Sequence, residues 1–138
     1  MISSIKSIML GNTSMTCFAI GENKINLAHP EFGKGLAALR ELKYLDISGN
    51  VYKEDSLKEL GGAFSSIMQL KSLDFSNINF NLIQIKKIAP FIKGFANLEM
   101  LDLSSNYLKD NGLLEVSRIL PHLTQLSSLS NTLNRSQK

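Results

Sequence analysis

Aspartate and serine recur together at a fixed spacing in this 138-residue sequence. The tripeptide Asp-Xaa-Ser, with an apolar middle residue, begins at Asp46, at Asp74 and again at Asp102, in steps of 28 residues. Carboxylates in such a series can bind a cation or a basic partner. A carboxylate and a serine can also belong to a hydrolase when a histidine lies beside them.

The other reactive side chains do not strengthen an enzymatic interpretation. His29 and His122 fall near a predicted helix start and helix end, which favours turn and cap positions. The single cysteine, Cys17, excludes an intramolecular disulfide and a metal site built from cysteines alone. Single carboxylates along a flat ladder do not converge as calcium requires, and Gly33–Gly35 lacks phosphate-loop spacing. We therefore expect no catalysis, no cofactor and no metal.

Composition narrows the class of partner. The net charge is only +3, and the 15 basic residues are spread along the chain, so nucleic-acid binding is not expected. No apolar run approaches the ~20 residues that cross a bilayer, and no secretory signal is recognised, so membrane association is not expected either. The prediction is a cytoplasmic protein, or one delivered into a host cytosol by a specialised secretion route.

The Asp-Xaa-Ser tripeptide is part of a nine-residue repeat. It reads LKYLDISGN at 42–50, LKSLDFSNI at 70–78 and LEMLDLSSN at 98–106, with degraded copies at 15–23 and 126–134. Each strong copy has apolar residues at its first, fourth and sixth positions, which predicts a short strand.

The segments between the copies have helical spacing, with apolar residues three and four positions apart. The sets are Leu57, Leu60 and Phe64; Ile85, Ile88, Phe91 and Ile92; and Leu113, Val116, Ile119 and Leu120. Pro90 lies within the second set and predicts a kink or a short helix. The N-terminal residues repeat the offsets of the last helix, which predicts a helix there without a preceding strand.

A strand of the form LxxLxLxxN followed by a helix, with a period near 28, resembles a leucine-rich repeat of the ribonuclease-inhibitor-like class. The matching residues are Leu42, Leu45, Ile47 and Asn50, then Leu70, Leu73 and Phe75, then Leu98, Leu101, Leu103 and Asn106. The resemblance implies an α/β fold: a short right-handed solenoid with a curved parallel sheet inside and helices outside. Ile78 replaces the asparagine that ends the template. In this family that asparagine bonds the backbone of neighbouring loops, so these hydrogen bonds should be missing here or supplied by Asn77 or Asn79.

The period also predicts how a single domain, 1–138, is divided. We expect an N-terminal capping helix or half repeat at 1–14 and a degraded half repeat at 126–138. The full repeats between them are predicted at 15–41, 42–69, 70–97 and 98–125.

Side chains that alternate with the core leucines should line the concave face of the sheet. The predicted partner-binding residues are Tyr44, Asp46, Ser48, Ser72, Asp74, Ser76, Met100, Asp102 and Ser104. One interpretation is a docking strip for a basic partner segment. The other is that Asp is a frequent residue of this repeat, tolerated on a solvated sheet.

The resemblance implies protein recognition without turnover, by a partner whose identity the sequence does not reveal. An effector of an intracellular bacterium is one possible setting. The alternatives are a self-associating solenoid segment, which would pair through a solenoid end, or a fragment of a larger leucine-rich-repeat receptor or ubiquitin-ligase adaptor.

Overall fold

A computed structural model describes residues 1–53 and 57–134. Within those ranges, short strands alternate with helices along the chain. The helices are α1 Ile2–Gly11, α2 Pro30–Leu36, α3 Lys58–Phe64, α4 Leu82–Ile92 and α5 Lys109–Ile119, which runs into a 3-10 turn, Leu120–His122. The strands are β1 Cys17–Ala19, β2 Tyr44–Asp46, β3 Ser72–Asp74, β4 Met100–Asp102 and β5 Ser128–Ser130.

All five strands form one parallel sheet in the order β1-β2-β3-β4-β5, so each strand lies beside its neighbours in sequence. Its register aligns Leu45 with Leu73 and Leu73 with Leu101, as the 28-residue period predicts. A parallel pair requires a crossover connection, and the helices supply it. The predicted α/β solenoid, with a parallel sheet and alternating helices, is confirmed.

The hydrophobic core lies between the sheet and the helices. The central strand leucines Leu45, Leu73 and Leu101 are at most 2% exposed, and the apolar stripes of α3 and α4 are buried with them. Phe75 lies near the centre, with its ring centroid 4.7 Å from that of Phe80. Because the helices use their apolar stripes in this core, the basic residues of α2 to α5 stay in solvent.

Asparagine at the end of the repeat links neighbouring units through the backbone. Asn50 donates to the carbonyl of Ile20 at 3.0 Å and accepts from the amide of Ile25 at 2.9 Å, both in the preceding unit. Asn106 similarly donates to the carbonyl of Phe75 at 3.0 Å. Both asparagines are buried, at 2% and 1% exposure, and each satisfies backbone groups that water does not reach.

Ile78 interrupts this series of asparagines. Its side chain is fully buried in the hydrophobic core and has no group that could replace the amide hydrogen bonds. The side chains of Asn77 and Asn79 make no hydrogen bond to residues in the described ranges, so they do not compensate. Instead both adopt left-handed backbone, with φ of 53° and 62°, which asparagine tolerates better than most residues.

The N-terminal helix is held on α2 by an ion pair as well as by packing. Lys6 Nζ lies 2.7 Å from Glu31 Oε2, and Met9 of α1 is fully buried. The hydrogen bond from Lys6 lowers the pKa of Glu31 below its ordinary value, against the opposing effect of desolvation. Lys34, 4.0 Å away, adds a weaker attraction. Carboxylate charge at Glu31 therefore stabilises the contact between α1 and α2.

Pro90 does not shorten its helix. It lies in the last turn of α4, which continues to Ile92 and equals α5 in length at 11 residues. A proline so close to the C-terminal end removes one backbone donor and disturbs little of the helix that precedes it. None of the described helices is long and apolar enough to span a membrane.

Candidate protein-binding surface

The sheet face opposite the helices, here called the concave face, carries side chains in rows that cross the strands. The tyrosine row is Cys17, Tyr44, Ser72, Met100 and Ser128. The aspartate row is Ala19, Asp46, Asp74, Asp102 and Ser130. Beyond the strand ends, backbone hydrogen bonds place Ser48, Ser76 and Ser104 in a further row. Neighbouring side chains in a row are about 4.8 Å apart at their backbones.

The recurring Asp-Xaa-Ser tripeptide forms a local turn at the end of each strand. Asp46 Oδ1 accepts hydrogen bonds from the Ser48 amide at 3.0 Å and from its hydroxyl at 2.7 Å. Asp74 holds Ser76 with the same two distances. Aspartate commonly bonds the backbone two residues on, so one oxygen of each carboxylate has a structural role.

In the third tripeptide the serine hydroxyl does not bond the aspartate. Asp102 Oδ1 accepts from the Ser104 amide at 2.8 Å, but the Ser104 hydroxyl shares a 2.7 Å hydrogen bond with Ser130. The same hydroxyl accepts from the Thr132 amide at 3.1 Å. Ser104 is therefore part of the contact between β4 and β5.

The aspartate row retains uncompensated negative charge. Among the described residues no donor bonds the second oxygen of Asp46, Asp74 or Asp102, and none of the three forms an ion pair. Like charges one strand apart repel by roughly 1 kcal/mol per neighbour in water. The concave face thus presents a negative strip in a chain whose net charge is +3.

A depression of about 210 Å³ lies on the concave face over the first four strands. Tyr44 and Met100 stand beside it, 50% and 43% exposed, while Ser72 between them is only 9% exposed. Asp46 and Asp74 line the depression from the next row. The structure therefore combines two apolar walls, a hydroxyl and two carboxylates in one place.

The nine predicted partner-binding residues all lie in these three rows. Two of them are largely covered in the free chain: Ser72 at 9% exposure and Ser104 at 8%. Small side chains beside larger ones or beside another hydroxyl leave little surface for a partner. Whether a partner contacts any of the nine stays a prediction.

Two depressions of the surface were not predicted. Cys17 and Ala19 join the depression because β1, from a degraded repeat copy, pairs in full register with β2. A larger depression of about 360 Å³ lies between Ile83 and Tyr107, in the loops that lead into α4 and α5. Its lining comes from two repeats at positions outside the template, so periodicity gave no signal for it.

The two histidines lie away from the rows. His29 caps α2, where its Nδ1 accepts from the amide of Glu31 at 3.1 Å, and His122 ends the 3-10 turn. Cys17 is an exposed free thiol in the tyrosine row. Across 1–53 and 57–134, no group of three or more His, Cys, Asp or Glu residues is placed to hold a metal ion.

Comparison with known families gives one match. Residues 97–132, from the end of the second strong unit through β5, match the family model for Leucine Rich Repeat. The comparison with curated proteins gave no match. Leucine-rich repeats typically serve binding and are not enzymes, and their domains generally bind other proteins. Residues 97–132 are thus similar to a leucine-rich repeat, and the parallel sheet with its alternating helices is consistent with an α/β solenoid of that type.

Proposed function

We propose that this protein binds a partner protein on the concave face and has no catalytic activity. The observation that carries the proposal is the exposure of Tyr44 and Met100, two large apolar side chains that flank one depression on an open sheet. Tyrosine and methionine are enriched in protein interfaces, where aromatic side chains often contribute most of the binding energy. The uncompensated aspartate row beside them favours a partner with a basic segment.

The test compares two double variants with a similar loss of exposed apolar surface. Tyr44→Ser with Met100→Ser removes the walls of the depression. Met68→Ser with Leu114→Ser removes similarly exposed side chains, 45% and 51%, outside the sheet face. We expect a partner captured from cell lysate by the unmodified chain to be captured equally by the control variant. Its affinity for the concave-face variant, measured by calorimetry with the purified partner, should fall by about tenfold or more.

Equal affinity for both variants would contradict the proposal, provided that circular dichroism shows both to be folded. A loss confined to the control variant would place the binding surface on the helical side instead.

We further propose that the repeats are of the ribonuclease-inhibitor-like class, which the 28-residue period supports. The setting we propose is the cytoplasm, or a host cytosol for an effector of an intracellular bacterium. A segment of a larger receptor or ubiquitin-ligase adaptor would use the same surface.

Self-association is a second candidate, favoured by the last described strand. Leu129 aligns with Leu101 in β4, yet it is 42% exposed where Leu101 is fully buried. The outer edge of β5 pairs with no strand in the described part of the chain. An open edge with an exposed leucine is a surface on which another strand can pair.

Leu129→Lys is therefore expected to abolish any association of this 138-residue chain, because a charge on an edge strand opposes pairing. Leu114→Lys, at a 51% exposed leucine of α5, is the matched control. Sedimentation velocity at rising concentration measures both. An unmodified chain that stays monomeric at millimolar concentration would eliminate this candidate, as would undiminished association of Leu129→Lys.

A further inference from the structure

We propose that the depression on the concave face receives an arginine side chain of the partner. It is called the Ser72 cleft, and its lining includes Tyr44, Met100, Ser72, Asp46 and Asp74, with Cys17 and Ala19 of β1 at one side. The proposal deepens the function proposed above and rests on it, since it assigns the chemistry of the contact.

The cleft has the dimensions of one long side chain. Tyr44 and Met100 lie on β2 and β4 with Ser72 of β3 between them, so their backbones are two strand spacings, roughly 10 Å, apart. A small residue between two large ones leaves the depression of about 210 Å³. Its walls are apolar, and such walls suit the methylene groups of a long side chain.

The Ser72 hydroxyl provides the first polar contact. Ser72 is only 9% exposed and lines the cleft, yet its hydroxyl has no hydrogen-bond partner among the described residues. The hydroxyls of Ser48 and Ser76, by contrast, each bond a carboxylate at 2.7 Å. No buried side-chain oxygen or nitrogen of the described residues lacks a partner, so the Ser72 hydroxyl reaches the open cleft and can bond a ligand group there.

The two carboxylates favour a cationic group at this position. Asp46 and Asp74 line the cleft, and each uses one oxygen for its own turn while the other has no donor within the described ranges. No described lysine or arginine forms an ion pair with either of them. A bound cation would remove the repulsion between these neighbouring charges.

Arginine fits these groups better than lysine or a metal ion. Its guanidinium offers five donors in a planar fork, which can reach carboxylates on neighbouring strands and a hydroxyl together. The face of the Tyr44 ring can add a cation–π contact. Hard metal ions prefer several converging oxygen ligands, and most of the surface that lines this cleft is apolar.

The test uses short peptides and the isotopically labelled 138-residue chain. The probe is acetyl-Gly-Ser-Arg-Ser-Gly-amide, and its counterparts carry lysine or citrulline in place of arginine. Citrulline has nearly the shape of arginine without the charge. NMR titration should show saturable shifts at Ser72 and Tyr44 with the arginine peptide. Binding should be several-fold weaker with lysine and about tenfold weaker with citrulline.

Variants then locate the charge. Asp46→Asn with Asp74→Asn keeps an acceptor for each serine turn but removes both charges, and should weaken the arginine peptide by about tenfold. Glu41→Gln with Asp110→Asn removes the same charge at exposed positions outside the sheet and should bind like the unmodified chain. Ser72→Ala should weaken binding about threefold, the effect of one neutral hydrogen bond.

Equal binding of the citrulline and arginine peptides would overturn the proposal, as would unchanged binding to the Asp46→Asn and Asp74→Asn variant. Shifts centred away from the cleft would do the same. The peptide experiment and the partner experiment fail separately. If partner affinity depends on Tyr44 and Met100 but no arginine peptide binds, only the arginine assignment fails. If the arginine peptide binds but the affinity for the partner is unchanged when Tyr44 and Met100 are replaced, the proposed function fails.

Discussion

Asn106→Ala is expected to lower the free energy of unfolding by about 3–5 kcal/mol, because it leaves buried backbone groups without partners. Asn106 is 1% exposed, and its Oδ1 accepts from the amides of Ile78 and Phe80, each at 3.1 Å. Its Nδ2 donates to the carbonyls of Phe75 and Leu103, each at 3.0 Å. Alanine offers neither donor nor acceptor, and the site is closed to water by the neighbouring unit.

Urea unfolding followed by circular dichroism measures this effect. Asn111→Ala is the matched control, since Asn111 is exposed in α5 and its side chain makes no hydrogen bond within the described ranges. We expect the control to stay within about 0.5 kcal/mol of the unmodified chain. A cost below about 1 kcal/mol for Asn106→Ala would show that the asparagine does not join the second and third strong units as described.

Gly33→Ala is expected to destabilise the chain by about 1–3 kcal/mol, because α2 and α3 pack too closely for a methyl group at this position. A Cβ on Gly33 would lie 2.8 Å from the carbonyl oxygen of Glu59 and 3.0 Å from its carbonyl carbon. Both are backbone atoms, which cannot rotate away from the new methyl group as a flexible side chain could. The two helices must therefore move apart.

Gly62→Ala should have the opposite sign. Gly62 is exposed within α3, and a Cβ there meets nothing within 4 Å. Alanine has the higher helix propensity, which should stabilise the chain by roughly 0.5–1 kcal/mol. The two variants make the same chemical change in neighbouring helices, and thermal unfolding compares them directly. A stabilising Gly33→Ala would refute the close approach of α2 to Glu59.

Much of the fold followed from the repeat. The 28-residue step placed Asp46, Asp74 and Asp102 in one row, and the parallel register confirms it. The reason is local: strand side chains alternate between two faces, and equal units stack with equal residues adjacent. The helical spacing between the copies likewise predicted α3, α4 and α5. The short helix predicted from Pro90 was wrong, because Pro90 lies within the last turn of the 11-residue α4.

Other features needed the folded chain. The sequence showed only that Gly33–Gly35 lacks the spacing of a phosphate loop. The packing of α2 on α3 shows that Gly33 permits a close contact between these helices. The Asp-Xaa-Ser tripeptide was open to two interpretations. The structure shows that one carboxylate oxygen holds the serine turn, while the other has no donor among the described residues. The same residue thus carries both a structural and a potential binding role.

By itself the sequence determined which residues share a strand, a row and a face, since those relations depend on spacing along the chain. Only the tertiary structure decided which of these side chains are covered and which keep a polar atom without a protein partner in the described part of the chain. Ser72 illustrates the difference: its place in the tyrosine row follows from the repeat. Its burial between Tyr44 and Met100 depends on the sizes of side chains from two other units. The burial of a residue depends on the side chains that surround it in space. The repeat fixes where the neighbouring residues lie, but it leaves their side chains free to vary in size.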